Sequence, residues 1–411
     1  MNNTPTHYDI VIVGAGIVGS TLALALAHLP LKIYILEASN LSDYDHKIHD
    51  SPISLHPINY QLLQALGIGP SLETATQAIK QVHVSEHTRL GKLRFQATDM
   101  GVPALGHVIS RQRLTTALQA QLMSLTQTKQ SIAQFVVQAP AKLNAFTKTT
   151  QGWQISIAKE GTGSLPEQSI QTPLIIAADG HRSQLRQHLN IALKSNIISE
   201  SALSAWVSIS HAHHQVAYER FTQQGVVALL PFTNQTMGVV WTASTPIIES
   251  LSHLSDSALL TRLQTVMGYR LGQFSQLSAR NYHPIQSFYT NPPAIKDLIL
   301  LGNAAYSLHP VAAQGLNLSL QDVTQLTAMI EETLHSSTAI PANNRLHGLN
   351  LQAYHTIRYP AQRHMQRLTN LIHRSFKPTR GPLAWVRNHG LWILDNCPFL
   401  KQPLARRLMG D

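Results

Sequence analysis

The sequence predicts an α/β fold: a Rossmann-like dinucleotide domain, interleaved with a mainly antiparallel β-sheet domain and followed by C-terminal helices. Three observations carry this reading. Residues 9–37 hold a strand, a glycine turn, a helix and a second strand ending in an acid. Two later runs, 174–186 and 298–330, each join a buried strand to a glycine-containing turn and a helix. Residues 200–290 break instead into short β-rich segments (SAWVSIS, GVVALLPF, MGVVWTA) with turn signals between them, the pattern of antiparallel strands. Residues 1–75, 106–190 and 291–345 are assigned to the dinucleotide domain, 76–105 and 191–290 to a substrate-binding sheet, and 346–411 to a basic helical segment.

The first unit reads DIVIVGAGIVGSTLALALAHLPLKIYILE. A strand is expected over Asp9 to Val13, a helix over Ser20 to His28, and a strand over Lys32 to Leu36. Gly14 permits the tight turn, Gly16 lets the backbone approach a pyrophosphate, and Gly19 lets the helix lie close to the sheet. The helix start offers N–H groups to the phosphates, and Glu37 is placed to accept hydrogen bonds from an adenosine ribose. Further on, Ile58, Leu62, Leu63 and Leu66 space as one face of a helix ended by Gly67. Strands are expected between Val82 and Phe95, and a helix from Ser110 with Arg111 and Arg113 in its first turn. The stretch Phe135 to Gln171 reads as a meander with a turn at Gly161 and Gly163.

In LIIAADGHRSQLR a buried strand stops at Asp179-Gly180, where an acid can meet a ligand at the edge of a parallel sheet; an ordinary helix cap by Asp179 is the structural alternative. Within the β-rich region, Trp206, Phe221, Leu230, Phe232 and Trp241 are candidates for a substrate-pocket floor, or plain core. The last run, LILLGNAAYSLHPVAAQGLNLSLQDVTQLTAMI, places Gly302-Asn303 at a strand end and Pro310 and Gly315 in a loop before a helix that begins near Leu316. Gly315 lets a planar ligand approach the helix start, whose N–H groups and dipole favour negative charge, in the manner of an oxyanion hole.

Composition narrows the classes. With 44% hydrophobic and 13% charged residues over 411 positions, the chain suits a soluble globular protein of two domains. Ile10 to Leu31 lacks any charged Asp, Glu, Lys or Arg, which a hydropathy window would flag as a membrane span, but its three turn glycines and Pro30 fit the nucleotide motif. No signal peptide precedes it, so a cytoplasmic location is expected. A single cysteine, Cys397, excludes an intramolecular disulfide. The 22 histidines are scattered, the cluster His211, His213 and His214 lacks matching carboxylates, and no metal site is assigned. Nothing points to nucleic acid.

The net charge of +10 is uneven: residues 351–411 hold ten Lys and Arg against Asp395 and Asp411. Combined with Leu383, Trp385, Val386, Leu391, Trp392, Ile393, Leu394, Phe399 and Leu400, this is the make-up of a peripheral anchor at the inner face of a membrane. The alternative is a core-packing helix, because Trp385 and Trp392 stand seven apart.

Together, GxGxxG at Gly14, Asp179-Gly180 with Arg186, and Gly302-Asn303 with Pro310 and Gly315 resemble the FAD-dependent aromatic hydroxylases (class A flavoprotein monooxygenases) over nearly the whole chain. The runs Tyr218 to Phe232 and Leu301 to Val323 are similar to the ubiquinone-biosynthesis branch. The resemblance implies non-covalent FAD, NAD(P)H as co-substrate without its own domain, O₂, and a polyprenylated phenol as substrate, in a possible ubiquinone-biosynthesis complex. A reduced nicotinamide would reduce the flavin, and one oxygen of O₂ would then pass to an electron-rich ring. The implied cofactor contacts are Gly14, Gly16, Gly19, Glu37, Arg111, Asp179, Gly180, Arg186, Gly302, Asn303, Pro310, Gly315, Leu316 and Asn317. Asn303 stands where most of the superfamily has Asp; its amide can still hydrogen-bond a ribityl hydroxyl. Relatives carry an arginine in the segment corresponding to HDSPISL, where this chain has Ser51 and Pro52, so no flavin contact is assigned there. His309 and Tyr306 are the acid–base candidates by position. Two rival readings share parts of this pattern: an NAD-dependent dehydrogenase, and a non-catalytic flavoprotein within a biosynthetic assembly.

Overall fold

The computed structural model describes all residues except 1–4, 42–49, 88, 90, 129, 160–167, 197–198, 292–293, 296, 337–341, 377–381 and 410–411. A six-stranded sheet runs in the order Ala294–Ile295, Leu298–Leu300, Leu174–Ala177, Ile10–Val13, Lys32–Leu36, Gln134–Gln138. Every pairing is parallel except that of the Ala294–Ile295 edge. The runs IVIV, KIYIL and LIIA are apolar throughout because a parallel sheet is covered on both faces. Alternate residues divide the core: Ile10, Ile12, Ile33 and Ile35 meet helices Ile17–Ala25 and Gln314–Ser336, while Val11, Tyr34 and Leu36 face Trp153, Ile155 and Ile170 of a smaller sheet.

A second large sheet holds Gln81–Glu86, Lys92–Gln96, Glu200–Ile209, Val216–Thr222, Gly225–Pro231 and Thr236–Ser244. All these contacts are antiparallel apart from the Val216–Thr222 strand beside Gln81–Glu86. One face packs on helices Thr245–Ser252 and Asp256–Met267 through Leu203, Val207, Val227, Leu229, Val239 and Trp241. The other meets strand Pro52–Leu55 of a separate three-stranded sheet, and the approach is close enough that a Cβ on Gly238 would lie 2.4 Å from Pro52 Cβ.

Several boundaries differ from expectation. The first helix runs over Ile17–Ala25, starting at the glycine turn rather than at Ser20, since Gly16 already serves as its N-cap. The second expected helix is a Pro57–Leu63 helix, a wide turn at Gln64–Ile68 with Gly67 at φ +87°, and a Gly69–Ala75 helix. Leu63 points inward, but Ile58 is 50% exposed, because Asn59 takes the inward position to bond Asn317. The meander divides: Gln134–Gln138 extends the parallel sheet beside Lys32–Leu36, and only the later strands are antiparallel. Gly161 and Gly163 lie outside the described residues. The helix expected near Leu316 begins at Gln314, so Gly315 sits in its first turn rather than before it.

The basic C-terminal segment forms helices Leu351–Phe376, Pro382–Asn396 and Pro398–Met409. It is not a uniformly solvated charge run. Arg358 is buried and its Nε pairs with Asp322 Oδ1, whose other oxygen accepts from Tyr306 Oη at 2.7 Å and Gln362 Nε2 at 3.1 Å. A buried carboxylate with this many donors tolerates desolvation, whereas one that loses its cation does not. Arg358→Met is expected to cost about 3–5 kcal/mol in urea unfolding, against little change for the exposed Arg367→Met; equal midpoints for the two variants would refute this role.

Candidate functional site

The glycine turn lies at the carboxyl ends of the parallel strands. Gly14 has φ +105° and a Cβ there would meet Ala178 O at 2.5 Å; a Cβ on Gly19 would fall 1.9 Å from Gly14 O. Turn, helix and the Ala178 crossover are thus in backbone contact, which only glycine allows. The Ala15 peptide is clamped from both sides. Its N–H donates to Glu37 Oε2 at 2.7 Å, and its carbonyl accepts from Ser20 Oγ and Gln119 Nε2, both at 2.9 Å. Glu37 Oε1 also accepts from Ser39 N–H at 3.0 Å. The carboxylate expected to meet a ribose therefore also shapes the phosphate turn, and each oxygen retains a second lone pair. Gln119 was not anticipated; nothing in a helix reading RQRLTTALQAQL distinguishes it from its neighbours.

Asp179 follows the Leu174–Ala177 strand. Its Oδ2 accepts from Gln184 N–H at 2.8 Å, but the N-cap of the short Gln184–His188 helix is Ser183, whose Oγ accepts from Arg186 N–H at 3.1 Å. Asp179 Oδ1 is buried without a hydrogen-bond partner among the described residues. Burial raises its carboxyl pKa, opposed by the hydrogen bonds of Ser183 and Gln184. An orphaned acceptor beside Gly180, where a Cβ would meet nothing within 4 Å, suits a ligand hydroxyl. Arg186 differs from expectation: its guanidinium is buried, with Nη1 donating to Ala304 O at 2.9 Å and Nη2 to His181 O, and it stacks over Phe288. It braces the Gly302–Ala304 turn from behind instead of reaching into the cleft. Gly302, with φ +61°, sets that turn against Val18 of the first helix, and Asn303 is exposed at its tip.

The Gln314–Ser336 helix points its start at the strand Pro52–Leu55. Asn317 makes that joint: its Oδ1 accepts from His56 N–H at 2.7 Å and Asn59 Nδ2 at 2.9 Å, and its Nδ2 donates to Ser54 O and Ala313 O, both at 2.8 Å. With its side chain so engaged, Asn317 can reach a cofactor through its backbone alone. Leu316 is half-buried and Pro310 half-buried beside it, whereas a Cβ on Gly315 would meet nothing within 4 Å. The first N–H groups of a helix lack intrahelical acceptors, so this opening leaves room for the anionic edge of a planar ring beside groups that would stabilise it. Arg111, at the mouth, donates from its backbone to Ser51 O at 2.9 Å and from Nε to Ser51 Oγ at 3.3 Å, supplying a guanidinium from another segment beside Ser51 and Pro52.

At the hairpin end of the large sheet is a cavity of ≈190 Å³, lined by Phe221, Val226, Thr242, Ile247, Glu200 and His373. Trp206 and Phe232 pack together on the same face, at 4.4 Å. Trp241 does not belong to the floor: strand alternation turns it to the helix-covered face, where it is fully buried. Glu200 sits between two histidines, with Oε2 3.1 Å from His309 Nε2 and Oε1 3.1 Å from His373 Nε2. His309 is fully buried, and its Nδ1 accepts Val311 N–H at 3.3 Å, which leaves the proton on Nε2, facing the carboxylate. Three possible ligand atoms within 4.8 Å could in principle hold a cation, where no metal was assigned from sequence. With its proton on Nε2, His309 offers an ion no lone pair there. Tyr306 is instead spent on Asp322, and His213 on Thr233 O at 2.6 Å.

A phosphate turn, an orphaned acid, and a helix start opened by glycine define a flavoprotein oxidoreductase with a cavity over its sheet. The FAD binding domain model matches residues 7–367, and the chain belongs to that family of FAD-dependent monooxygenases. It is 30% identical over 99% of its length to an uncharacterized protein of Synechocystis, of which 94% is covered. It is 26% identical to ubiquinone hydroxylase UbiL of Rhodospirillum rubrum, covering 98% of this chain and 89% of that one. It is also 26% identical to 3-demethoxyubiquinol 3-hydroxylase of Escherichia coli, with both chains covered over 100%. Among solved structures, PqsL of Pseudomonas aeruginosa, a probable FAD-dependent monooxygenase, superimposes with TM-score 0.73 at 16% identity, covering 94% of this chain and 100% of that one.

Gly16→Val puts a side chain where the motif is expected to receive a pyrophosphate, and folded but flavin-poor protein is expected; full FAD occupancy would disprove the phosphate placement. Gly315→Leu fills the open space at the helix start, so FAD retained with a disturbed spectrum and slowed reduction by NAD(P)H is expected, and normal turnover would mean that this helix does not face the ring.

Proposed function

We propose that this protein uses NAD(P)H and O₂ to hydroxylate a polyprenylated phenol in ubiquinone biosynthesis, in the manner of a 2-polyprenyl-6-methoxyphenol hydroxylase. The observation that carries this is the cavity in which Glu200 and His373 face apolar Phe221, Val226 and Ile247: one wall suits a ring and chain, the other its hydroxyl. The names of the ubiquinone hydroxylase relatives support the choice of pathway. Bound FAD supplies the activation of O₂ and its transfer to an electron-rich ring. The chain's own residues do the rest. Asp179, Gly315 and the backbone of Leu316 and Asn317 would hold the cofactor and stabilise its charge. The Glu200–His373 pair takes the phenol proton: the O–H bond breaks, its electron pair stays on oxygen, and the ring becomes a better nucleophile. His309 Nε2–H keeps the Glu200 carboxylate oriented.

Stimulation of NAD(P)H oxidation by a short-chain prenylated methoxyphenol, with hydroxylated product, tests the reading; flavin without any phenol response would favour the non-catalytic role. Glu200→Gln is expected to lower hydroxylation by about 10² with flavin binding kept and peroxide release raised. Unchanged product yield in that variant would remove Glu200 from the chemistry.

A lipid substrate also requires access to a bilayer. No helix among the described residues is long and apolar enough to cross a membrane. Phe399 is 84% exposed, Trp392 60% and Leu371 63%, with Arg374 and Arg406 exposed nearby in sequence; Trp385, Lys377 and Arg380 fall among residues whose side chains are not described. We assign this end of the chain to peripheral docking on an anionic leaflet, with about 1 kcal/mol available per cation. Co-sedimentation with anionic but not neutral vesicles, weakened by salt and by Arg374→Gln with Arg406→Gln, is expected; equal recovery in the supernatant with both lipids would point to a protein partner instead.

A further inference from the structure

The face of the large sheet turned away from the cofactor cleft carries a second polar site. Tyr218 and Arg220 alternate with Phe221 and so point outward, where His83, Ser85 and Arg270 join them around a cavity of ≈20 Å³ at the end of helix Asp256–Met267. Arg220 Nη1 donates to Met267 O at 3.1 Å. Its Nε is buried with no partner among the described residues. Arg270 Nη1 lies 3.4 Å from His83 Nδ1, and its guanidinium sits 5.9 Å from the centre of the Tyr218 ring.

The charges here are unbalanced. Burial, then Arg270, lower the Arg220 pKa, and no carboxylate among the described residues counteracts them. His83 brings no negative charge and is held neutral, its pKa lowered to about 4 by burial first and then by Arg270, Arg94, Lys92 and Arg220. Two guanidiniums beside one small cavity repel each other and lose hydration, a cost that a negative group between them would offset. Arginine forks match the planar or tetrahedral oxygens of such a group, and Ser85 and Tyr218 add hydroxyl donors.

We propose that Arg220 and Arg270 form a binding site for one oxyanion, a phosphate or carboxylate group, on the outer face of the substrate sheet. The enclosed space of ≈20 Å³ takes one oxygen of such a group, the rest of which stays at the open mouth of the cavity, and it admits no nucleotide base. Because the sheet separates it from the cofactor cleft, occupancy acts on the stability of this sheet and helix Asp256–Met267, not on the chemistry.

The test titrates the FAD-loaded protein with inorganic phosphate, sulfate, or acetate at constant ionic strength in chloride. Saturable heat and a raised melting temperature are expected, with affinity reduced at least about tenfold in Arg270→Gln. NMR of His83 supplies a second readout: an anion in the site must raise its pKa, whereas general stabilisation by salt must not. Response to phosphate and sulfate alone identifies a phosphate-bearing ligand; response to acetate identifies a carboxylate such as a partner's side chain. Melting shifts that are equal in the parent, Arg270→Gln and Ser85→Ala proteins, with the His83 pKa unmoved by all three anions, would overturn the site.

Discussion

The contact on which the rest of the molecule depends is the backbone approach between the glycine turn, the first helix and the Ala178 crossover. With Gly19 over Gly14 O and Gly14 against Ala178 O, three chain segments meet with no side chain between them. That fixes the spacing of strands Ile10–Val13 and Leu174–Ala177 and the first helix to within atomic contact. It also brings the turn and Asp179 to one edge of the sheet. Glu37 and Gln119 then lock the Ala15 peptide, so the geometry of the turn exists before any ligand arrives. Preorganisation of this kind removes an ordering cost that binding would otherwise meet.

The sequence was most informative where chemistry is local. The strand Lys32–Leu36 ends where the apolar run KIYIL ends, and the Arg111 helix begins at the expected turn. The glycine positions reported the turn because no other residue tolerates those contacts. Less legible were partnerships made across the chain. Gln119 reaches Ala15, Asn59 reaches Asn317, and Arg358 reaches Asp322, and each of these polar residues lies on a helix whose pattern alone would leave it solvated. Trp241 illustrates a different limit: strand residues announce that they alternate, but which parity faces the cleft depends on what covers each side. The same holds for Gln134–Gln138, whose β character was visible but whose sheet was not.

Polar residues are distributed here by function as well as by stability. Asn317 and Arg186 occupy motif positions expected to meet cofactor, yet their side chains are consumed in holding backbone in place. The groups left for a ligand are those the packing does not satisfy: Asp179 Oδ1 and the space above Gly315. A motif residue can thus serve a cofactor by fixing the backbone that touches it.

Helix Leu351–Phe376 joins two jobs that could have been separate. Near its start, Arg358 is inserted into the polar core behind the Tyr306 loop; four turns later His373 forms part of the cavity wall. At 1.5 Å per residue these side chains stand about 22 Å apart on one continuous rod. One helix thus ties the Asp322 polar core to the wall of the Glu200 cavity, so a change in the packing around Arg358 is carried along the same rigid element to His373.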